Sequence, residues 1–263
     1  MATVADILRY IETDLAPRSM KMDWDNVGLN CGHMDRPVTK ILVALDPFEH
    51  VCREAKEFGA ELLVTHHVLI FRPGFITDTT AQNRNVLFLI ENGIAHINAH
   101  TNLDLAPRGV NDVLAATLGL ESVQIINPMG IDEQGRQWGL LRGGEVTEQS
   151  LGEFLAVVKE KLGCEGLRYV DAGKPVHKVA VGGGSCCDEM QEAVDFGCDT
   201  FVTADAKYNY FWDAKDLGLN LIDAGHFYTE NPVVRCLAEK IAAAFPEITV
   251  KISESHHDCM KFY

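Results

Sequence analysis

Thirty residues of this chain recur 138 positions further on without a gap, and that repeat constrains the fold more than any other feature. Val38, Lys40, Val43, Glu54, Ala55, Phe58, Gly59, Val64 and Thr65 meet identical residues at Val176, Lys178, Val181, Glu192, Ala193, Phe196, Gly197, Val202 and Thr203, and most apolar positions match as well. Shared α/β patterning supplies part of this agreement; nine identities at one offset point to duplication. In the first copy Lys40-Ile41-Leu42-Val43-Ala44-Leu45 reads as a buried strand and Phe48 to Phe58 as a helix. Gly59 stands where a C-cap is expected, and Leu62-Leu63-Val64-Thr65 begins the next strand. The unit is βαβ, and the chain is expected to be an α/β protein of two related lobes, 1–125 and 126–263.

The remaining elements follow in order. Val4, Ile7, Leu8, Ile11 and Leu15 recur at helical spacing behind Thr3 and Asp6, a short-armed capping box, and Pro17 ends the helix. Trp24-Asp25-Asn26-Val27-Gly28-Leu29 reads as a turn into a short extended piece, its aromatic, Asp and Asn anchoring a loop. After the loop Arg72-Pro73-Gly74-Phe75, a helix is expected around Asn83 to Asn92, a strand from Ile94 to Ala99 and a helix from Gly109 to Leu118. Residues 120–137, with Asn127-Pro128, Gly130 and Gly135, read as a connection between lobes. A strand near Trp138 to Leu141 and a helix Leu151 to Leu162 lead into the second copy.

At 263 residues and net charge −15 the chain buries a sizeable core but lacks the basic footprint that phosphate backbones or anionic membranes require. No apolar run approaches the ~20 residues of a membrane span, and the first residues lack a signal peptide's basic start, so the cytoplasm is expected. None of the eight cysteines stands in C-x-x-C spacing, so reduced thiols packing as small apolar groups are expected, the adjacent Cys186-Cys187 included.

Chemistry concentrates at three places, each after a strand-like run: His66-His67, His100 with Asp104, and His226 with Glu230, the last two both of the form His-x-x-x-acid. The second strand of a βαβ unit delivers His66-His67 at its carboxyl end, where open α/β sheets bind ligands. Imidazole suits Zn, Fe, Ni or Cu, and carboxylates can bridge two cations and offset their charge. The three loops are therefore expected to form one site for two divalent ions, with zinc, iron and manganese all open. His100 is either a group orienting Asp104 or a proton carrier. Gly182-Gly183-Gly184-Ser185 follows a strand as a phosphate loop would but lacks the P-loop lysine, so a tight turn is the stronger reading. His256-His257-Asp258 imitates the metal pattern in a polar tail and is expected to be solvated. Lys207, Arg72 and Arg108 are candidates for holding an anionic substrate group.

Trp24-Asp25-Asn26-Val27-Gly28-Leu29, Thr65-His66-His67, His100-Thr101-Asn102-Leu103-Asp104 followed by Gly109-Val110-Asn111-Asp112, and Gly225-His226 with Glu230 resemble the Nif-three-like dinuclear metal-centre family, whose bacterial members carry the label GTP cyclohydrolase I type 2 homologue. The resemblance spans nearly the whole chain. It implies a three-layer α/β fold, a ring-shaped hexamer, and ligation by His66, His67, Asp104, His226 and Glu230. His66 and His226 would sit on one metal, His67 and Asp104 on the other, with Glu230 bridging. Val68 replaces the family's usual proline, and Thr203-Ala204-Asp205 stands where relatives show Thr-Gly-Glu, which removes the basis for a catalytic role of that loop. Two functions fit: a metal-dependent hydrolase acting on a small molecule through activated water, with opening of the GTP purine ring as the instance the label implies, and a metal-binding regulator or adaptor that turns nothing over.

Overall fold

A computed structural model describes residues 1–72 and 74–263; Pro73, within the expected Arg72 to Phe75 loop, lies outside the described residues. The chain divides into two compact units, Met1–Ala106 with Val234–His257 and Pro107–Val233 with Asp258–Tyr263. These bounds differ from a division at 125/126. The C-terminal strand Thr249–Ile252 pairs in parallel with Lys40–Val43 and so belongs to the first sheet.

The first unit opens with α1 (Val4–Tyr10), where the expected capping box forms: Thr3 Oγ1 accepts from the Asp6 N–H and the Asp6 carboxylate accepts from the Thr3 N–H. Then follow β1 (Gly28–Cys31), β2 (Lys40–Ala44), α2 (Glu49–Phe58), β3 (Leu62–Thr65), α3 (Ala81–Glu91), β4 (Ala95–Asn98) and α4 (Thr101–Leu105). The sheet runs β1-β4-β3-β2 and then the C-terminal strand, all parallel except β1. Leu42, Ala44 and Leu63 pack on Val51, Cys52 and Ala55 of α2 and on Val86 and Leu89 of α3. The opposite parity, Ile41, Val43, Leu62 and Val64, is also fully buried, which is why these strands read as continuous apolar runs.

The second unit comprises α5 (Val110–Leu118), β5 (Glu121–Ile126), the hairpin strands β6 (Gly130–Ile131) and β7 (Gln137–Trp138), β8 (Leu141–Gln149), α6 (Leu151–Leu162), β9 (Arg168–Val170), β10 (Val176–Val181), α7 (Met190–Asp195), β11 (Thr200–Thr203), α8 (Tyr208–Leu217), β12 (Asn220–Asp223) and α9 (His226–Glu230). Its sheet order is β5-β8-β10-β11-β12-β9, with the three middle crossover strands β10, β11 and β12 parallel. Three layers are explicit here. Val179, Val181, Val202 and Ile222 face Leu114, Leu118, Phe154 and Val158 of α5 and α6, while Ala180, Phe201 and Leu221 face Met190, Ala193 and Ala214 of α7 and α8. Residues 120–137 are not a bare connection: they hold β5, an edge strand paired with β8, and the β6–β7 hairpin. Its mostly exposed side chains leave β5 without the apolar alternation that would mark a strand.

The two copies of the repeat share one register. Val43 lies opposite Val64 across β2 and β3, and the aligned Val181 lies opposite Val202 across β10 and β11. Several identities acquire a reason. Lys40 donates to the Phe58 carbonyl and lies over its ring, and Lys178 does the same with Phe196. Each lysine thus neutralises the carbonyl end of a helix, and the next residue, Gly59 or Gly197, takes the left-handed conformation that turns the chain toward the following strand.

All eight cysteines are free thiols. Cys186, Cys187 and Cys198 pack in the apolar layer under α7 and α8, and burial pushes Cys187 and Cys198 up to about 12, so they act there as small apolar groups. Among the described residues no helix is long and apolar enough to cross a membrane.

Candidate metal centre

In the first unit the donor groups stand at the carboxyl ends of β3 and β4. Two parallel neighbours ending at one level bring His66-His67 beside His100. Each imidazole is tethered through Nδ1: His66 to the Ala99 carbonyl at 2.8 Å, His67 to Asp46 Oδ1 at 2.6 Å and His100 to Asp25 Oδ2 at 3.0 Å. A carbonyl or an ionised carboxylate only accepts, so each Nδ1 carries a proton, which leaves Nε2 as the nitrogen that can serve as a ligand. The ligand atoms of His66, His67 and His100 lie within 4.8 Å of one another, and His66 Nε2 is 3.5 Å from Asp104 Oδ1. Tethered imidazoles converging beside a carboxylate make a donor set for a borderline divalent cation.

Asp25 is fixed in its charged form. Burial pushes its carboxyl up, but hydrogen bonds from His100 and from the Thr101 hydroxyl and N–H outweigh this and hold it down at about 2. The Trp24-Asp25-Asn26 turn thus anchors a loop, as expected, and also orients an imidazole of the site. Asn26 donates to the Ile70 carbonyl and Asn30 accepts from the Leu69 and Ile70 N–H groups, which secures the chain just after His67. Not every nearby histidine belongs: His96, fully buried within β4, bonds Thr65 Oγ1 at 2.8 Å, and burial pushes it down to about 3, so it stays neutral.

In the second unit α9 carries His226 and Glu230 one turn apart, with Nε2 and Oε2 at 3.1 Å. His226 Nδ1 is tethered to Asp205 Oδ2 at 2.7 Å, repeating the arrangement of the first unit. Asp205 takes a left-handed φ of 54°, an uncommon conformation for a non-glycine residue. The buried Asp223 joins the two loops by accepting from the Ala206 and Gly225 N–H groups. Gly182-Gly183-Gly184 serves this site as a turn. The Gly183 N–H donates to Asn111 Oδ1 at 2.7 Å and the Gly184 N–H to Thr229 Oγ1 at 3.0 Å, so neither is aimed at a phosphate. A Cβ on Gly184 would collide with Glu230 Oε1, which explains why glycine stands there.

Other sequence candidates fall outside these sets. Arg72 and Lys207 are exposed, and neither bonds to the donor residues among the described residues. The Arg108 N–H donates to Asp112 Oδ2. His257 lies in the tail with its ring 5.2 Å from that of His50, and His256 Nδ1 meets the Ser253 carbonyl at 2.8 Å. The sequence reading missed the tethers Asp25, Asp46 and Asp205 as site residues. For Asp46 and Asp205 the available signal was an acid two residues past the carboxyl end of a neighbouring strand, whereas Asp25 lies in the turn before β1.

The family model Duf34/NIF3 (NGG1p interacting factor 3) matches residues 2–259. The chain belongs to the DUF34/NIF3 family. Among its relatives, the GTP cyclohydrolase 1 type 2 homologue of Clostridium perfringens is 41% identical over 239 residues, covering 90% of each chain. That of Clostridium acetobutylicum is 35% identical and covers 98% of each. Among solved structures, the Bacillus cereus protein related to NIF3 has a TM-score of 0.93 at 25% identity, covering 100% of this chain and 99% of that one. A Staphylococcus aureus hypothetical protein, SA1388, has 0.92 at 30% identity, with 99% of both chains covered. Family membership and the α/β fold agree with the resemblance read from the motifs.

Proposed function

We propose that this DUF34/NIF3 protein is a metal-dependent hydrolase whose His66, His67, Asp104, His226 and Glu230 together hold two divalent ions, zinc, iron or manganese. The observation that carries the reading is the tethering of every candidate imidazole through Nδ1, which spends binding energy on presenting Nε2. His256 is held through Nδ1 as well, so it is the tether together with the convergence of the ligand atoms of His66, His67 and His100 within 4.8 Å that supports the reading. Asp104 and Glu230 supply the negative charge that a pair of cations requires. When bound, such ions acidify water and polarise an electrophilic carbon or phosphorus. His100, tethered to Asp25, takes up or releases a proton at Nε2. The relatives' name directs the substrate search to GTP and hydrolytic opening of its purine ring. The hexameric ring implied by the resemblance and the cytoplasmic setting expected from the sequence are part of this proposal.

The test is metal analysis of the purified protein followed by assay of formate release from GTP. The expected result is a transition ion at these residues, formate release abolished by chelator, and at least about a hundredfold loss of kcat/KM in Glu230→Ala with the fold and oligomer retained. A metal-replete protein that turns over neither GTP nor other nucleotides and phosphoesters overturns the hydrolase reading in favour of a binding or adaptor role.

A further inference from the structure

Beside His67 the first unit contains a cavity of about 430 Å³, within the usual range of small-molecule sites. Two aromatic rings line it, Phe48 at the start of α2 and Phe71 in the loop after β3, and both are half exposed despite their size. The Phe71 ring also meets His100 edge-on, at 5.6 Å between centroids, so this wall continues into the imidazole cluster. Among the described residues no lysine or arginine lines the cavity, whereas Asp46, the tether of His67, does. An anionic group is therefore disfavoured there.

Two amides also line the cavity: Gln82, which is exposed and donates through Nε2 to the Leu69 carbonyl, and Asn85. Asn85 is nine-tenths buried and lines the cavity, and its Nδ2 donates to the Pro47 carbonyl at 3.1 Å. Because a carbonyl only accepts, the amide orientation is settled, and Oδ1 is the atom that can accept from an occupant. Stacking faces, no cation and one buried amide acceptor define the chemistry of that occupant. We propose that this cavity binds an uncharged planar heteroaromatic ring whose edge N–H donates to Asn85 Oδ1, with Phe48 and Phe71 packing on the ring. That the ring is part of a substrate, held beside His67 and His100, rests on the hydrolytic reading above; the binding itself does not. Any phosphate on such a substrate is bound outside the cavity.

Titration calorimetry of the whole protein with benzimidazole and with N-methylbenzimidazole, at mildly alkaline pH where both are uncharged, tests the assignment. Benzimidazole is expected to bind saturably at one site, and its methylated form, which has no N–H, about tenfold or more weaker, because a buried acceptor is left unmet. Asn85→Leu is expected to reduce benzimidazole to the level of the methylated compound, and Phe48→Ala to weaken both. The ligand pair does not depend on any variant folding. Glu230→Ala is expected to keep benzimidazole binding; a wild-type protein that binds benzimidazole but hydrolyses nothing overturns the hydrolase reading and leaves this one standing, whereas hydrolysis without benzimidazole binding overturns this one alone. No saturable binding, equal affinities for the pair, or displacement of benzimidazole by inorganic triphosphate overturns the proposal.

Discussion

The two copies of the repeat use one scaffold and end it differently. In the first unit the strand end carries the imidazole, His67, and its tethering acid, Asp46, comes from the preceding strand. In the second unit the aligned strand end carries the acid, Asp205, and the imidazole, His226, comes from the following strand. The chemical pair is the same, a carboxylate on Nδ1, but the partners have exchanged places in chain order. What the two units share is the means of presenting Nε2, and the residues after the strands decide which element supplies it. Their frames stay close by contrast: Lys40 with Phe58 and Lys178 with Phe196 close both crossover helices in the same way.

If the exchanged acids are equivalent, Asp46→Ala and Asp205→Ala should each weaken metal binding about 10- to 100-fold, read by competition with a chromophoric chelator. A large loss in one and none in the other would break the equivalence and leave the unaffected acid a merely structural partner. The shared helix ends predict a smaller effect. Lys40→Met and Lys178→Met should each cost about 1 kcal/mol of stability in denaturant unfolding, since each removes a hydrogen bond to a helix-end carbonyl and a cation–π contact. A cost confined to one lysine would show that the repeat keeps that residue for another reason.

An effect confined to acid pH falls where aligned residues have diverged in partner. Glu54 accepts from Ser253, Ser255 and the Glu254 N–H of the C-terminal tail, whereas the aligned Glu192 accepts from Asn127. Burial pushes the Glu54 carboxyl up, but those tail hydrogen bonds outweigh it and hold the group at about 2, down from the ordinary 4.5. A folded-state value depressed in this way contributes stability above about pH 4.5 that is lost as pH falls toward 2. Glu54→Gln should therefore flatten part of the acid limb of the stability curve, measured by urea unfolding between those limits. An unchanged acid limb would show that the tail contributes nothing through this carboxylate.

Much of the frame was legible because it is written locally. The capping box at Thr3 and Asp6, the helix Leu151–Leu162, the C-cap Gly59 and the buried strands of both repeats follow from nearest-neighbour chemistry and from burial on both faces. The edge strand β5 escaped because its exposed side chains carry no period. The division at 125/126 missed the return of the C-terminal strand to the first sheet, since backbone pairing between residues 40 and 249 leaves no mark in either segment. The Gly182-Gly183-Gly184 run showed that backbone freedom was needed, while only the structure shows the collision with Glu230 that glycine avoids.

By itself, the sequence determined which residue types reach the carboxyl ends of the strands: imidazoles at His66, His67, His100 and His226, and acids at Asp104 and Glu230. Those facts depend on strand period and helix phase, which are local. Tertiary structure alone decided that Asp25, Asp46 and Asp205 would hold the imidazoles by Nδ1, and that Phe48, Phe71 and Asn85 would enclose a cavity beside one of them. A hydrogen bond's direction and a cavity's walls depend on distances between residues remote in the chain, and no local pattern encodes those distances.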